Sequence, residues 1–290
     1  MINFNSYSGD PFELYKDAVD RKLDGSTKEQ LENIEDKVEK SYQKYGTEFK
    51  NHQVHLIEED SSYSDADKDL LQSLYGSKKT VIKEIRQWID AHNKRTYLRR
   101  CPYCTINTAN TTEHILPKKK YPEYSIHALN LLPCCSECNS DKGEYVKTDN
   151  GKPYIINFYY DILPEKQYLF VDVSMDVNDV PNFDYRLENL NNIGNDLFDL
   201  ICRHFRLFSL LERYKTEAIN IYSEIENELL EDLEEHDDID KCLGKLKNKA
   251  FRDAKEYGRN HWKVVLKIAL ADSENFKKYL MKKNGIIVNK

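Results

Sequence analysis

Apolar residues return every three to four positions through the first 95 residues and again from Asn195 to the end, and this spacing predicts two helical regions. In the first, helices are expected near Pro11 to Leu23, after a capping box of Ser26 and Glu29, near Ala66 to Tyr75 and from Ser77 to Asn93. Leu31, Ile34 and Val38 mark one buried face, Val81, Ile82, Ile85 and Ile89 another, and Gly25, Gly46 and Gly76 read as breaks. In the second region Leu197, Leu200, Ile201, Phe205 and Phe208 open a series that continues through Ile219 to Leu233 and Trp262 to Leu270. Between the two, the helical period stops at Cys101-Pro102-Tyr103-Cys104. Residues 101 to 146 read as turns around two short apolar stretches, Ile115-Leu116 and Leu129 to Leu132, with a short helix from about Ser136. Tyr154 to Tyr159, Tyr168 to Val173 and Phe183 to Leu187 are β-rich and predict a small sheet flanking the central module. The expected architecture is mainly α with an embedded small α+β module. Its segments are a helical N-terminal arm (1–95), the central module (96–150), a β-rich segment (151–190) and a helical C-terminal region (191–290).

Composition narrows the class. With 290 residues, 40% of them hydrophobic and including 20 Tyr and 11 Phe, the chain has enough apolar material for a packed interior, which excludes a disulfide-stapled miniprotein. No run approaches the ~18 apolar residues of a membrane helix, and the start MINFNSYSGD lacks a basic and then apolar leader, so a cytoplasmic location without a membrane partner is expected. In that compartment seven cysteines, five of them between Cys101 and Cys138, read as metal ligands rather than disulfides.

The net charge of -7 hides an uneven distribution. Ser77 to Tyr121 carries eleven Lys and Arg against three acids, which leaves the rest of the chain at -15. A phosphate polymer is drawn to the middle of such a chain. Glu224 to Asp240 holds ten acids, and Lys241 to Lys267 holds nine bases and two acids. Either these two stretches pair as adjacent antiparallel helices, or they form a bipolar surface for docking a partner protein.

The strongest chemical signal is Cys101-x-x-Cys104 with Cys135-x-x-Cys138, two knuckles that suit the four-sulfur shell of a structural zinc. Cys134 offers a rival register, but an i, i+3 pair through Cys135 reproduces the first knuckle, and Cys134 after Pro133 reads as a packed apolar residue. A redox role is disfavoured because such a site needs one pair after a strand rather than two flanking an insert. Cys202 and Cys242, alone in helical patterns, read as core thiols. Between the knuckles lie Glu113 and His114, followed by Lys118, Lys119 and Lys120. Asn130 comes next, and Asn139 and Lys142 follow the last cysteine. This set supplies a general base, oxygen ligands for a hard cation and ammonium groups to clamp phosphates. His127, three residues before Asn130, is read as packing or surface, and His52, His55, His204, His236 and His261 are assigned no role.

CPYC, then EHILPK, then LNLLPCCSECNSDKG, across about residues 101 to 143, resemble the HNH endonuclease superfamily, the ββα-metal nucleases, in the branch stapled by a four-cysteine zinc site. The resemblance implies a divalent-metal-dependent cut in DNA, with His114 as general base, Asn130 fixing the loop that aims it, and Asn139 on a catalytic Mg²⁺ or Mn²⁺. Glu113 stands where the family usually has aspartate as the other metal ligand, and its extra methylene moves the carboxylate by about one carbon–carbon bond. Alternatives are a zinc-dependent nucleic-acid-binding protein without catalysis, a scaffold with a decayed centre, or a nuclease acting on RNA or tRNA. More loosely, Asn157-Phe-Tyr-Tyr-Asp161 and Leu211-Glu-Arg-Tyr214 look like HNH proteins of bacterial anti-phage systems, including the nuclease partner of an ATPase in Septu and retron-linked systems. That likeness implies a role in defence and an ATPase as partner protein.

Overall fold

The computed structural model describes residues 1–76, 80–93, 100–236 and 238–285. These are mostly helical and form two compact units, residues 2–162 and residues 163–290 with Met1.

The first unit begins with five helices: α1 (Pro11–Asp20), α2 (Ser26–Asn33), α3 (Glu35–Lys50), α4 (Asp65–Leu74) and α5 (Thr80–His92). Their starts follow local chemistry. The Asp10 side chain accepts from Phe12 N at the head of α1, with Pro11 in the first turn, and a full capping box of Ser64 and Asp67 opens α4. The box expected from Ser26 and Glu29 does not form. Gly25, at φ 144°, takes the cap position, so Ser26 already lies inside the first turn of α2. Gly46 also departs from expectation, because it sits within α3 rather than breaking it. Burial of Val38, Tyr42 and Tyr45 along α3 outweighs the ~1 kcal/mol that a helical glycine costs. Ser77 to Lys79 of the expected fifth helix lie outside the described residues.

After the arm, β1 (Thr111–His114) pairs antiparallel with β2 (Leu131–Cys134), Glu113 opposite Leu132 and His114 opposite Leu131, and α6 (Ser136–Lys142) follows almost at once. The 16 residues between β1 and β2 fold back through two short 3₁₀ turns, Pro122–Tyr124 and Ala128–Asn130, and α3 packs on the first of them. The imidazole of His127 lies 4.2 Å from the ring of Tyr45 and 4.4 Å from that of Tyr42, centroid to centroid, so α3 clamps this loop through aromatic contacts. Tyr154 to Tyr159, expected as a strand, is an irregular turn with Ile155, Ile156 and Phe158 buried. Asn157 reverses the chain there: its Oδ1 accepts from Tyr159 N, and its backbone N–H donates to the Asp161 carboxylate.

The second unit holds β3 (Leu169–Met175) and β4 (Pro181–Leu187), an antiparallel pair in which Leu169 faces Leu187 and Val173 faces Phe183. Leu169, Val171, Phe183 and Tyr185 are buried while Asp172 and Asp184 are exposed, the period-2 alternation of a sheet covered on one face. The cover comes from α8 (Leu210–His236), α10 (Trp262–Asp272) and α11 (Glu274–Lys283), with α7 (Asn195–Leu207) and α9 (Ile239–Tyr257) packed on α8. Of the two readings of the charged tail, helix pairing is the one observed. Lys249 meets Glu228 at 2.7 Å and Lys245 meets Asp232 at 3.0 Å, stepping in opposite directions along α9 and α8 as antiparallel neighbours do. Lys267 pairs with Asp253, Lys247 with Asp272 and Lys277 with Asp240. Among the described residues no helix is long and apolar enough to cross a membrane.

Two titratable groups in the clamped loop are dry. Among the described residues His127 Nδ1 and Glu123 Oε2 have no hydrogen-bond partner, and burial pushes His127 down to about 3 and Glu123 up to about 7. An ordinary histidine titrates at 6.5, so unfolding takes up a proton through His127, and stability falls as pH drops from 6.5 towards 3. An ordinary glutamate titrates at 4.5, so unfolding releases a proton from Glu123, and stability falls as pH rises from 4.5 to 7. Glu123→Gln removes only the second slope. In urea unfolding it is expected to gain stability relative to wild type by at most ~1.4 kcal/mol per pH unit over that window; a difference independent of pH would show that Glu123 ionises in the folded state.

Candidate active site

Cys101, Cys104, Cys135 and Cys138 are buried and their sulfur atoms lie within 4.8 Å of one another. The first knuckle is a turn closed by Thr105 N donating to Cys101 O, with Thr105 at φ 58°. In the second, Cys135 is also the N-cap of α6, its sulfur accepting from Cys138 N at 3.4 Å. Ligands 2.3 Å from a tetrahedral zinc are separated by about 3.8 Å. The 3.9 Å between Cys104 Sγ and Cys135 Sγ fits that spacing, so this buried group is able to hold a metal such as zinc. Cys134 is buried outside the cluster, and burial pushes its thiol well above the usual range.

Asn130 organises the loop that returns from β1 to β2. Its fully buried carboxamide accepts from Leu116 N at 2.7 Å and Tyr45 Oη at 3.2 Å, and donates to Leu116 O at 3.0 Å and Tyr124 O at 3.1 Å. The carbonyl of Ser125, next along this pinned loop, lies 2.9 Å from His114 Nε2. A carbonyl only accepts, so Nε2 carries the proton and the lone pair of the neutral ring is on Nδ1. Burial pushes His114 down to about 4, which keeps the ring neutral at physiological pH. The ring of Tyr75 stands edge-on to it with centroids 4.4 Å apart.

Glu113 and Lys142 meet in a way that the sequence does not announce. Lys142, expected among the phosphate-clamping lysines, is fully buried at the end of α6. Its Nζ lies 2.7 Å from Glu113 Oε1 and donates to His114 O at 2.7 Å. The Glu113 carboxylate, 4% exposed, also accepts from the backbone N–H of His114. Burial raises Glu113 and lowers Lys142, each offset in part by its partner. In this arrangement the Glu113 carboxylate is buried and paired through Oε1 with the Lys142 ammonium. Asn139 is half-buried on α6 and donates from Nδ2 to Thr111 Oγ1 at 3.4 Å, which ties it to β1. Lys119 and Lys120 are exposed, Lys120 lying 3.6 Å from Glu144, while Lys118 places Nζ 4.5 Å above the ring of Tyr75. The structure thus joins Glu113, His114 and Lys142 directly, links Asn130 to His114 through the loop, and leaves Lys118, Lys119 and Lys120 at its edge. Tyr45, Tyr75 and Ser125 were not among the expected site residues. Each acts through tertiary contact and belongs to no motif.

Removing one partner of a buried ion pair strands the other, at a cost of ~3–5 kcal/mol, whereas replacing both by apolar residues is often near neutral. Lys142→Met is accordingly expected to lower unfolding stability by that amount, and Lys142→Met with Glu113→Leu to restore most of it. A Lys142→Met protein unfolding at the wild-type urea midpoint would show that Glu113 reaches solvent.

Over an alignment of 193 positions that covers 61% of this chain, it is 26% identical to Protein ea31 of Escherichia phage lambda. Over an alignment of 63 positions that covers 20% of this chain, it is 38% identical to the Septu protein PtuB of Bacillus thuringiensis. The chain spans 63% of the length of the first of these relatives and 23% of the second. No family model and no solved structure matches the chain.

Proposed function

We propose that the chain is a phosphodiester hydrolase that cuts DNA, with His114 Nδ1 as the general base. The observation that carries this reading is the tautomer lock at His114. Ser125 O holds the Nε2 proton at 2.9 Å, and burial keeps the ring neutral. A water on Nδ1 passes its proton to that nitrogen as its oxygen attacks phosphorus, and the leaving 3′ oxygen departs with the electron pair of its bond to phosphorus and takes a proton from solvent. Lys118, Lys119 and Lys120, following β1 by a few residues, supply positive charge for the phosphate. The order of strand, strand and short helix around His114 supports the resemblance to the ββα-metal nucleases. The pairing of Glu113 with Lys142 favours a second reading, a nucleic-acid-binding protein that does not cleave.

The four-cysteine group is read as a structural zinc site that ties the Cys101 turn to α6. Similarity to the Septu protein PtuB supports a place in anti-phage defence. An ATPase as partner protein rests on the sequence resemblance, since the charged stretches of the tail are already paired with each other.

Purified protein is expected to cut DNA, and to cut RNA of the same sequence more slowly. His114→Ala should lower the rate by about 10² to 10⁴ while leaving DNA affinity unchanged. The base works while neutral, so the rate should fall on the acid side near pH 4 rather than 6.5. DNA binding without cleavage at any pH would select the second reading.

Metal analysis is expected to find about one zinc per chain. Because zinc binding is folding free energy in such sites, Cys101→Ser should lose both the metal and the folded first unit. Folded protein without zinc would remove the zinc assignment.

A further inference from the structure

Beside the His114 site the first unit has an open groove of about 500 Å³ that the sequence motifs do not mark. One wall is the helical arm, with Tyr75, Lys83, Arg86 and Gln87, and the other is the outer edge of β1, with Thr111 and Thr112. Among the described residues that line it, none is acidic. Lys83, Arg86 and Gln87 are three and four positions apart on α5, so they share one helix face. Arg86 is held flat against the strand, donating to Ala109 O at 3.1 Å, Thr111 O at 2.8 Å and Thr112 Oγ1 at 3.1 Å. Those bonds satisfy the strand edge that β2 does not cover, and they fix a positive charge in the groove floor. Lys83 and Gln87 are exposed and carry no such duty.

The groove also has a direction. Tyr75 at its end stands edge-on to the His114 ring, with Lys118 Nζ above its face. On the other wall, Thr111 Oγ1 accepts from Asn139. An extended anion lying in the groove would therefore run from the α5 face towards His114.

We infer that this groove is a binding track for the phosphodiester backbone of the nucleic acid, with Lys83 and Gln87 contacting phosphates and Tyr75 guiding the strand to His114. The inference rests on the nuclease reading and adds to it a substrate-holding role for the helical arm. Contacts of this kind carry no sequence information, so they strengthen binding to all sequences alike and make it salt-dependent.

The test is the full-length protein carrying Lys83→Glu and Gln87→Glu, both at exposed positions, with Lys40→Glu on α3 as an equally exposed charge reversal away from the groove. Affinity for a fluorescein-labelled DNA duplex is read by anisotropy in the His114→Ala background, over a range of salt concentrations, and cleavage is read with His114 intact. The groove variant is expected to bind about tenfold or more weakly, with a salt slope shallower by about one, and to cut more slowly at limiting DNA. Its melting temperature should match wild type, and Lys40→Glu should bind as wild type does. Binding by the groove variant no weaker than by Lys40→Glu, while His114→Ala still abolishes cleavage, overturns the track and leaves the nuclease reading standing. Failure of the wild-type protein to bind DNA overturns both.

Discussion

The carboxamide of Asn130 is the interaction on which the candidate site depends. It is fully buried, and its two acceptor and two donor positions are all used: Leu116 N and Tyr45 Oη on one side, Leu116 O and Tyr124 O on the other. It thereby closes the loop between β1 and β2 at both ends, and that loop presents Ser125 O to His114. An aspartate of the same shape would leave Leu116 O and Tyr124 O without donors in a dry interior. Through Tyr45 the same network reaches α3, so the helical arm is part of what holds the imidazole.

Burial is the second constraint, and it acts on the titratable groups at the ends of β1 and α6. It keeps His114 neutral, and it drives Glu113 and Lys142 together because neither charge is tolerable alone in that setting. The pair bridges the end of β1 to the end of α6, where Gly143, at φ 47°, lets the chain leave the helix in a conformation that side chains resist. A residue that resembles a phosphate clamp thus works as a brace between strand and helix, while Lys83, Lys119 and Lys120 are among the described residues whose positive charge faces solvent.

In the second unit the same economy holds on a larger scale. The acidic face of α8 and the basic face of α9 neutralise one another, and further lysines of α9, α10 and α11 pair within the unit. Such pairs are partly exposed, so each adds little stability, but together they fix the register of neighbouring helices.

The sequence by itself determined what depends on near neighbours along the chain. Helical periodicity located most helices, β-rich composition located β3 and β4, and the two CxxC spacings each brought two sulfurs together, because each of these follows from local geometry over a few residues. Tertiary structure decided the cases in which distant groups compete. Gly46 stays helical because tyrosines of α3 are buried, and Tyr154 to Tyr159 turns because Asn157 and Asp161 bind its backbone. Lys142 goes inward because Glu113 is already there, and Tyr75 and Arg86 join the site from helices that precede it by some 25 to 40 positions. A motif names which side chains are present. Whether a polar one ends up dry and paired or wet and free is set by what packs over it, and that is not written in its immediate neighbours.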